Sequence, residues 1–175
     1  NTGLDNLAKI VEERANNIYD SYTIEEKLLP GRYFIMNRQE VKYDNIQQFY
    51  ATNLGSLFGK VQAAGAEMNG MPCGLFFRFD EADGIIDMAA AIPTKEALSV
   101  PDSQSYSINA KKALQIDYYG DYHGIPKAHA AMDAFLKDRG YLQDVPVVEE
   151  YITDPGEEPD PEKWLTRITY YFTSK

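Results

Sequence analysis

Apolar positions along this chain switch between helical and strand spacing in a repeating order. Residues 4–19 place Leu4, Leu7, Ile10, Val11, Ala15 and Ile18 three and four apart, one stripe along a helix. A short linker ending at Pro30-Gly31 follows, so residues 1–30 read as a helical arm or connector. Residues 33–43 are rich in β-formers. Residues 46–69 carry Phe49, Leu54, Leu57, Phe58, Val61 and Ala64 in helical register, with Gly65 or Gly70 as the stop. Residues 72–80 predict a strand led by proline, Asp83-Gly84 a turn, and residues 85–92 the returning strand.

The same order then recurs. Residues 109–119 alternate Leu114, Ile116 and Tyr118 against Gln115, Asp117 and Tyr119. Residues 124–139 predict a helix whose stripe is Ile125, Ala128, Met132, Phe135 and Leu136, closed by Gly140. Residues 146–154 are another proline-led strand, and residues 165–172 the last one. Laid over each other, Pro72 falls on Pro146, Leu75 on Glu149, Phe77 on Tyr151, Phe79 on Thr153 and Asp80 on Asp154. In the helices Leu57, Val61 and Gly65 fall on Met132, Leu136 and Gly140, with a helix-to-proline spacer that differs by one residue. The expected fold is α+β. Two strand–helix–strand–strand units, residues 31–94 and 107–173 of a domain at 31–175, share an antiparallel sheet with helices on one face.

Strand alternation turns this overlay into a candidate site. Val147, Glu149, Tyr151 and Thr153 share one face of their strand, while Val148, Glu150 and Ile152 share the other. The overlay assigns Leu75, Phe77 and Phe79 to the face of Glu149, which makes an aromatic pocket with one charged anchor. Tyr33, Tyr170 and Trp164 are further candidate walls. Pattern alone leaves Glu149 and Glu150 open as surface residues; only the overlay separates them.

Composition narrows the class. A chain of 175 residues, 44% hydrophobic and 13% aromatic with 13 tyrosines, is large and apolar enough for a core. The formal charge of −10 argues against a nucleic-acid backbone as partner of this fragment. Between Asp144 and Lys163 eight carboxylates face one lysine, an acidic segment that concentrates cations or simply solubilises a loop. One cysteine, Cys73, excludes an intrachain disulfide. The longest apolar run, residues 85–92, contains Asp87 and is too short for a membrane span; with no signal peptide visible, the cytoplasm is the expected location. His123 and His129, six apart, fall on different helix faces and make a poor metal pair, so neither metal nor cofactor is expected. The chain starts at Asn1 rather than methionine, and an upstream domain is expected.

These residues resemble the GyrI-like family, the effector-binding domain of multidrug-sensing and AraC-type bacterial transcription regulators. The resemblance is carried by Tyr118-Tyr119-Gly120-Asp121-Tyr122 before the second helix, by Glu149-Glu150-Tyr151-Ile152-Thr153-Asp154-Pro155, and by Thr166-Arg167-Ile168. It departs at Tyr171, where the family's closing strand usually ends in proline, and no basic helix-turn-helix accompanies it. The resemblance implies a duplicated fold with a cleft, Glu149 as the central acidic residue with Tyr151 beside it, and Glu150 facing away. It implies a sensor or carrier for a small apolar ligand, cationic or amphipathic. The alternative it implies is a hydrolase of reactive electrophiles, with Glu149 as general base on water and Tyr151 orienting it; the sequence displays no second acid for that role. A third reading is a structural domain whose cleft is filled by Phe77, Phe79, Tyr151 and Tyr170.

Overall fold

In the computed structural model, which describes residues 2–174, helix α1 (Thr2–Ala15) leads into two short strands, β1 (Ile18–Tyr19) and β2 (Tyr22–Thr23). Then come β3 (Glu25–Leu29), β4 (Arg32–Lys42), α2 (Ile46–Ala63), β5 (Cys73–Asp80) and β6 (Ile85–Thr94). The second half comprises β7 (Gln104–Ile108), β8 (Lys111–Tyr119), α3 (Ile125–Arg139), β9 (Tyr141–Gln143), β10 (Val147–Tyr151) and β11 (Leu165–Ser174). The strand–helix–strand–strand order occurs twice, as β4-α2-β5-β6 and β8-α3-β10-β11.

The main sheet has nine strands, ordered β3-β8-β11-β10-β5-β6-β4-β7, with β9 pairing β11. Its pairs are antiparallel, and the two repeats meet at β10 and β5, where Val148 lies opposite Leu75 and Glu149 opposite Gly74. β3 and β7 stand at opposite ends of that order, yet only two residues join β3 to β4 and two join β7 to β8. Short links of this kind close only if the sheet curls until its ends approach. The two corners do meet: a side chain at Gly31 would place its Cβ 3.2 Å from the Ile108 carbonyl oxygen.

Period-two alternation gives the sheet two cores. Ile35, Met88, Ile116, Ile168 and Phe172 pack towards α2 and α3, against Leu57, Met132 and Phe135. Phe34, Leu75, Ala89, Val148 and Tyr171 pack inside the curl. Contacts there span strands that are not neighbours: Phe77 of β5 meets Tyr106 of β7 edge-on at 5.7 Å. Arg32 of β4 donates to the Glu150 carboxylate of β10 at 3.1 Å, and the Met71 backbone N–H donates to the same carboxylate at 3.0 Å.

Two expectations are corrected. Residues 18–29, expected as the end of the helical arm and its linker, join the fold: β3 pairs β8, and Tyr19 packs on Phe135 and donates to Asp138 at 2.7 Å. The helix expected over residues 4–19 ends at Ala15, and its stripe faces outward, with Leu4, Leu7, Ile10 and Val11 exposed. Of the two stops expected for the next helix Gly65 is the one used: α2 ends at Ala63, and the left-handed Gly65 (φ 65°) turns the chain soon afterwards.

Because the Arg32–Glu150 pair is largely shielded, removing one partner strands a charge inside the curl. Glu150→Ala should lower stability by about 3 kcal/mol in urea unfolding, and Arg32→Met with Glu150→Leu by clearly less. Equal losses would show that the pair's charges are solvated.

Candidate ligand-binding site

Between α2 and α3, above the central strands, lies a cavity of about 1160 Å³. Each helix supplies a row of side chains four residues apart, which stacks them along one face. Ile46, Tyr50, Leu54 and Phe58 line it from α2; Ile125, His129 and Asp133 line it from α3. The floor is Phe76 and Phe79 of β5, Glu149 and Tyr151 of β10, and Tyr170 of β11.

Glu149 is only 8% exposed, and its two oxygens are held from different elements. The Tyr151 hydroxyl donates to Oε1 at 2.8 Å, and His129 Nε2 stands 2.6 Å from Oε2. With its O–H directed at the carboxylate, the Tyr151 hydroxyl accepts from that of Tyr50, 2.9 Å away. On the other side His129 Nδ1 lies 2.6 Å from the Tyr170 hydroxyl. A continuous chain therefore runs Tyr50–Tyr151–Glu149–His129–Tyr170, from one helix through the sheet to the other. Gly74, opposite Glu149, is required by it: a Cβ there would strike the Tyr50 hydroxyl.

The buried carboxylate colours its neighbours. Burial first, then the charge of Glu149, push the Tyr50 and Tyr151 hydroxyls well above the usual phenol range. Burial raises Tyr170 in the same way, helped by Asp133 and Glu149. Asp133 is raised by burial, against the opposing pull of His129. Tyr122, raised by burial and by Asp154 and Glu149, sits edge-on to Tyr151 at 5.8 Å.

Of the side chains the sequence nominated, Glu149, Tyr151, Phe79 and Tyr170 line this cavity. Leu75 and Phe77 lie on the opposite face, inside the curl. Tyr33 is 43% exposed and Trp164 packs behind Tyr122 at 5.3 Å, so neither is in the lining. Leu75 is misplaced because the overlay changed offset at the proline. Leu57 on Met132 is an offset of 75 residues, whereas Pro72 on Pro146 is one of 74. A slip of one reverses the face. Keeping the helix offset sets Gly74 on Glu149 and Phe76 on Tyr151, as the pairing of β5 and β10 requires. Phe79 returns to the cavity because a bulge between Phe76 and Arg78 adds a residue, and Phe79 stacks on Phe76 at 5.8 Å.

Tyr50, Phe76, Tyr122 and His129 escaped the sequence reading. His129 had been weighed only against His123 as a metal ligand, while the spacing Ile125, His129, Asp133 marks a row beside the core stripe. Among the described residues no group of three or more His, Cys, Asp or Glu could hold a metal ion. No helix among them is long and apolar enough to cross a membrane.

Residues 22–170 match the family model of the GyrI-like small molecule binding domain. No curated protein sequence matches the chain. Among solved structures, the chain is similar to EcmrR in its DNA complex, with a TM-score of 0.79, 17% identity, and coverage of 96% of this chain and 63% of EcmrR. It therefore spans less than two thirds of that protein. The EcmrR C-terminal domain alone aligns at TM-score 0.77 and 17% identity, covering 88% of this chain and 99% of the domain. A hydrolase encoded by lin2189 from Listeria innocua aligns at TM-score 0.62 and 15% identity, over 94% of this chain and 98% of the hydrolase. SAV2435 bound to tetraphenylphosphonium aligns at TM-score 0.59 and 13% identity, over 86% and 93%. Identities this low speak for the fold.

The raised hydroxyls of Tyr50, Tyr151 and Tyr170 make stability depend on alkaline pH. Above about pH 10 the unfolded chain loses these protons and the folded chain keeps them, so stability falls as pH rises, by up to ~1.4 kcal/mol per unit for each group. Urea unfolding across that range should show the decline, and Tyr50→Phe should make it shallower. An unchanged slope in that variant would mean its hydroxyl ionises freely.

Proposed function

The chain belongs to the GyrI-like small molecule binding domain family, and from that premise we propose that its cavity takes an apolar, amphipathic cation with Glu149 as counter-ion. The observation that carries the proposal is a shielded carboxylate in an aromatic cavity with no lysine or arginine in its lining among the described residues. Three further carboxylates, Glu81, Asp133 and Asp154, reach the same cavity. A cation whose charge is spread under phenyl groups loses little hydration on entering, and ring faces attract it further. A compact, strongly hydrated cation gains less from such walls. The tetraphenylphosphonium on SAV2435, a protein of similar fold, is a ligand of this class.

In this reading the domain is the sensing part of a larger regulator. The partial coverage of EcmrR fits that role, with DNA contacts made outside this acidic fragment. A carrier would bind the same ligands with no partner domain.

Glu149→Gln should weaken tetraphenylphosphonium binding ten- to a hundredfold, or ~1.4–2.7 kcal/mol. Neutral triphenylphosphine oxide, similar in shape, should change far less. Calorimetry or fluorescence titration reads both, and equal losses for the two would remove the counter-ion role.

One contact favours a second reading. His129 beside Glu149 is the acid–base partner that a hydrolase would need, and a Listeria innocua hydrolase has a similar fold. Turnover of a reactive epoxide or cyclopropane, lost in Glu149→Gln and kept in Glu150→Gln, would favour hydrolysis; absence of turnover in the unmodified chain excludes those substrates.

A further inference from the structure

Both ring nitrogens of His129 are engaged, one by a carboxylate and one by a hydroxyl. That pairing leaves both ring nitrogens hydrogen-bonded in either of two protonation states. With a neutral ring, Nε2–H donates to Glu149 and Nδ1 accepts the Tyr170 O–H. With a protonated ring, both nitrogens donate, and the Tyr170 oxygen accepts instead. Glu149 keeps its partner in either state; only the net charge of the Glu149–His129 pair changes, from minus one to zero.

We infer that His129 sets the charge selectivity of the cavity, so that binding an amphipathic cation is coupled to release of a proton from its imidazole. The inference rests on the cation-binding reading above. Histidine is the side chain whose unperturbed charge change falls between about pH 5 and 8. When the ring 2.6 Å from Glu149 is protonated it serves as that carboxylate's counter-ion, and an entering cation competes with it.

The other groups facing His129 do not replace it in this role. Asp133 lies one turn along α3, and the Glu149 carboxylate on β10 stands 2.6 Å from Nε2. Tyr170 on β11 holds its own proton, as do Tyr151 on β10 and Tyr50 on α2 next in the chain of hydroxyls. Tyr43, Tyr122, Asp154 and Glu81 complete the ionisable lining, which among the described residues contains no basic group besides the imidazole. Without His129, then, a proton that leaves on binding would have to come from a carboxyl group.

The chain contains only two histidines, and His123 is exposed outside the cavity lining. That permits a clean test. Tetraphenylphosphonium binding is measured by calorimetry between about pH 5.5 and 8.5, in buffers of different ionisation enthalpy, which counts the protons released. The expected result is a release approaching one proton at the acidic end, with Kd falling up to tenfold per pH unit until it levels off. His129→Gln, which retains an N–H donor, should release no proton and bind with a Kd independent of pH, whereas His123→Gln should behave like the unmodified chain. Binding by the unmodified chain with no pH dependence overturns the inference alone, and needs no variant. Proton release that persists in His129→Gln assigns it to a carboxyl group and also overturns it. Absence of binding at every pH overturns the cation-binding reading and this inference with it.

Discussion

Glu149 lies opposite Gly74 where the two repeats join, and this register governs most of what the molecule can do. A slip of one residue would exchange every side chain of β10 between the two faces of the sheet. In the observed register Glu149 and Tyr151 face the helices, while Val148 and Glu150 enter the curl. The bare backbone of Gly74 leaves room for the Tyr50 hydroxyl, which completes the chain of hydrogen bonds to the carboxylate. Two adjacent glutamates with identical exposure thus acquire different work. One is paired with Arg32 and ties together strands three places apart; the other is held by neutral or titratable groups at a cavity wall.

The curl gives that arrangement its stiffness. Two-residue links between β3 and β4 and between β7 and β8 leave the sheet no open geometry, and the Arg32–Glu150 contact crosses the space they enclose. The helices therefore sit on a platform whose other face is filled, with Phe34, Leu75 and Tyr171 buried there. Cavity walls that rest on such a platform can stay apart without a ligand. This contrasts with a cleft closed by its own aromatics, since Phe76 and Phe79 stack on one another and Tyr50 and Tyr151 meet edge-on along the walls.

The duplication was legible because helical and strand periods repeat in order, and Glu149 because alternation and family resemblance agreed on it. Leu75 and Phe77 went wrong for a single reason: the overlay followed the two prolines rather than the helices, and period two does not forgive an odd shift. Phe79 reached the right face only through a bulge that nothing in residues 72–80 announces. His129 was hidden because a lone histidine on a helix has no pattern until the sheet brings a carboxylate to it from 20 residues away. Similarly, β3 hides in a polar run, Glu25-Glu26-Lys27, whose side chains are exposed along a sheet edge.

A hydrophobic cation beside Glu149 can be located with tetraphenylarsonium, because arsenic is visible in a crystal by its anomalous scattering. One arsenic is expected between α2 and α3, next to the Glu149 carboxylate and within about 6 Å of aromatic ring centres. Arsenic bound elsewhere, with the cavity closed over Glu149 by Tyr50, Phe79 and Tyr170, would rule out Glu149 as the counter-ion.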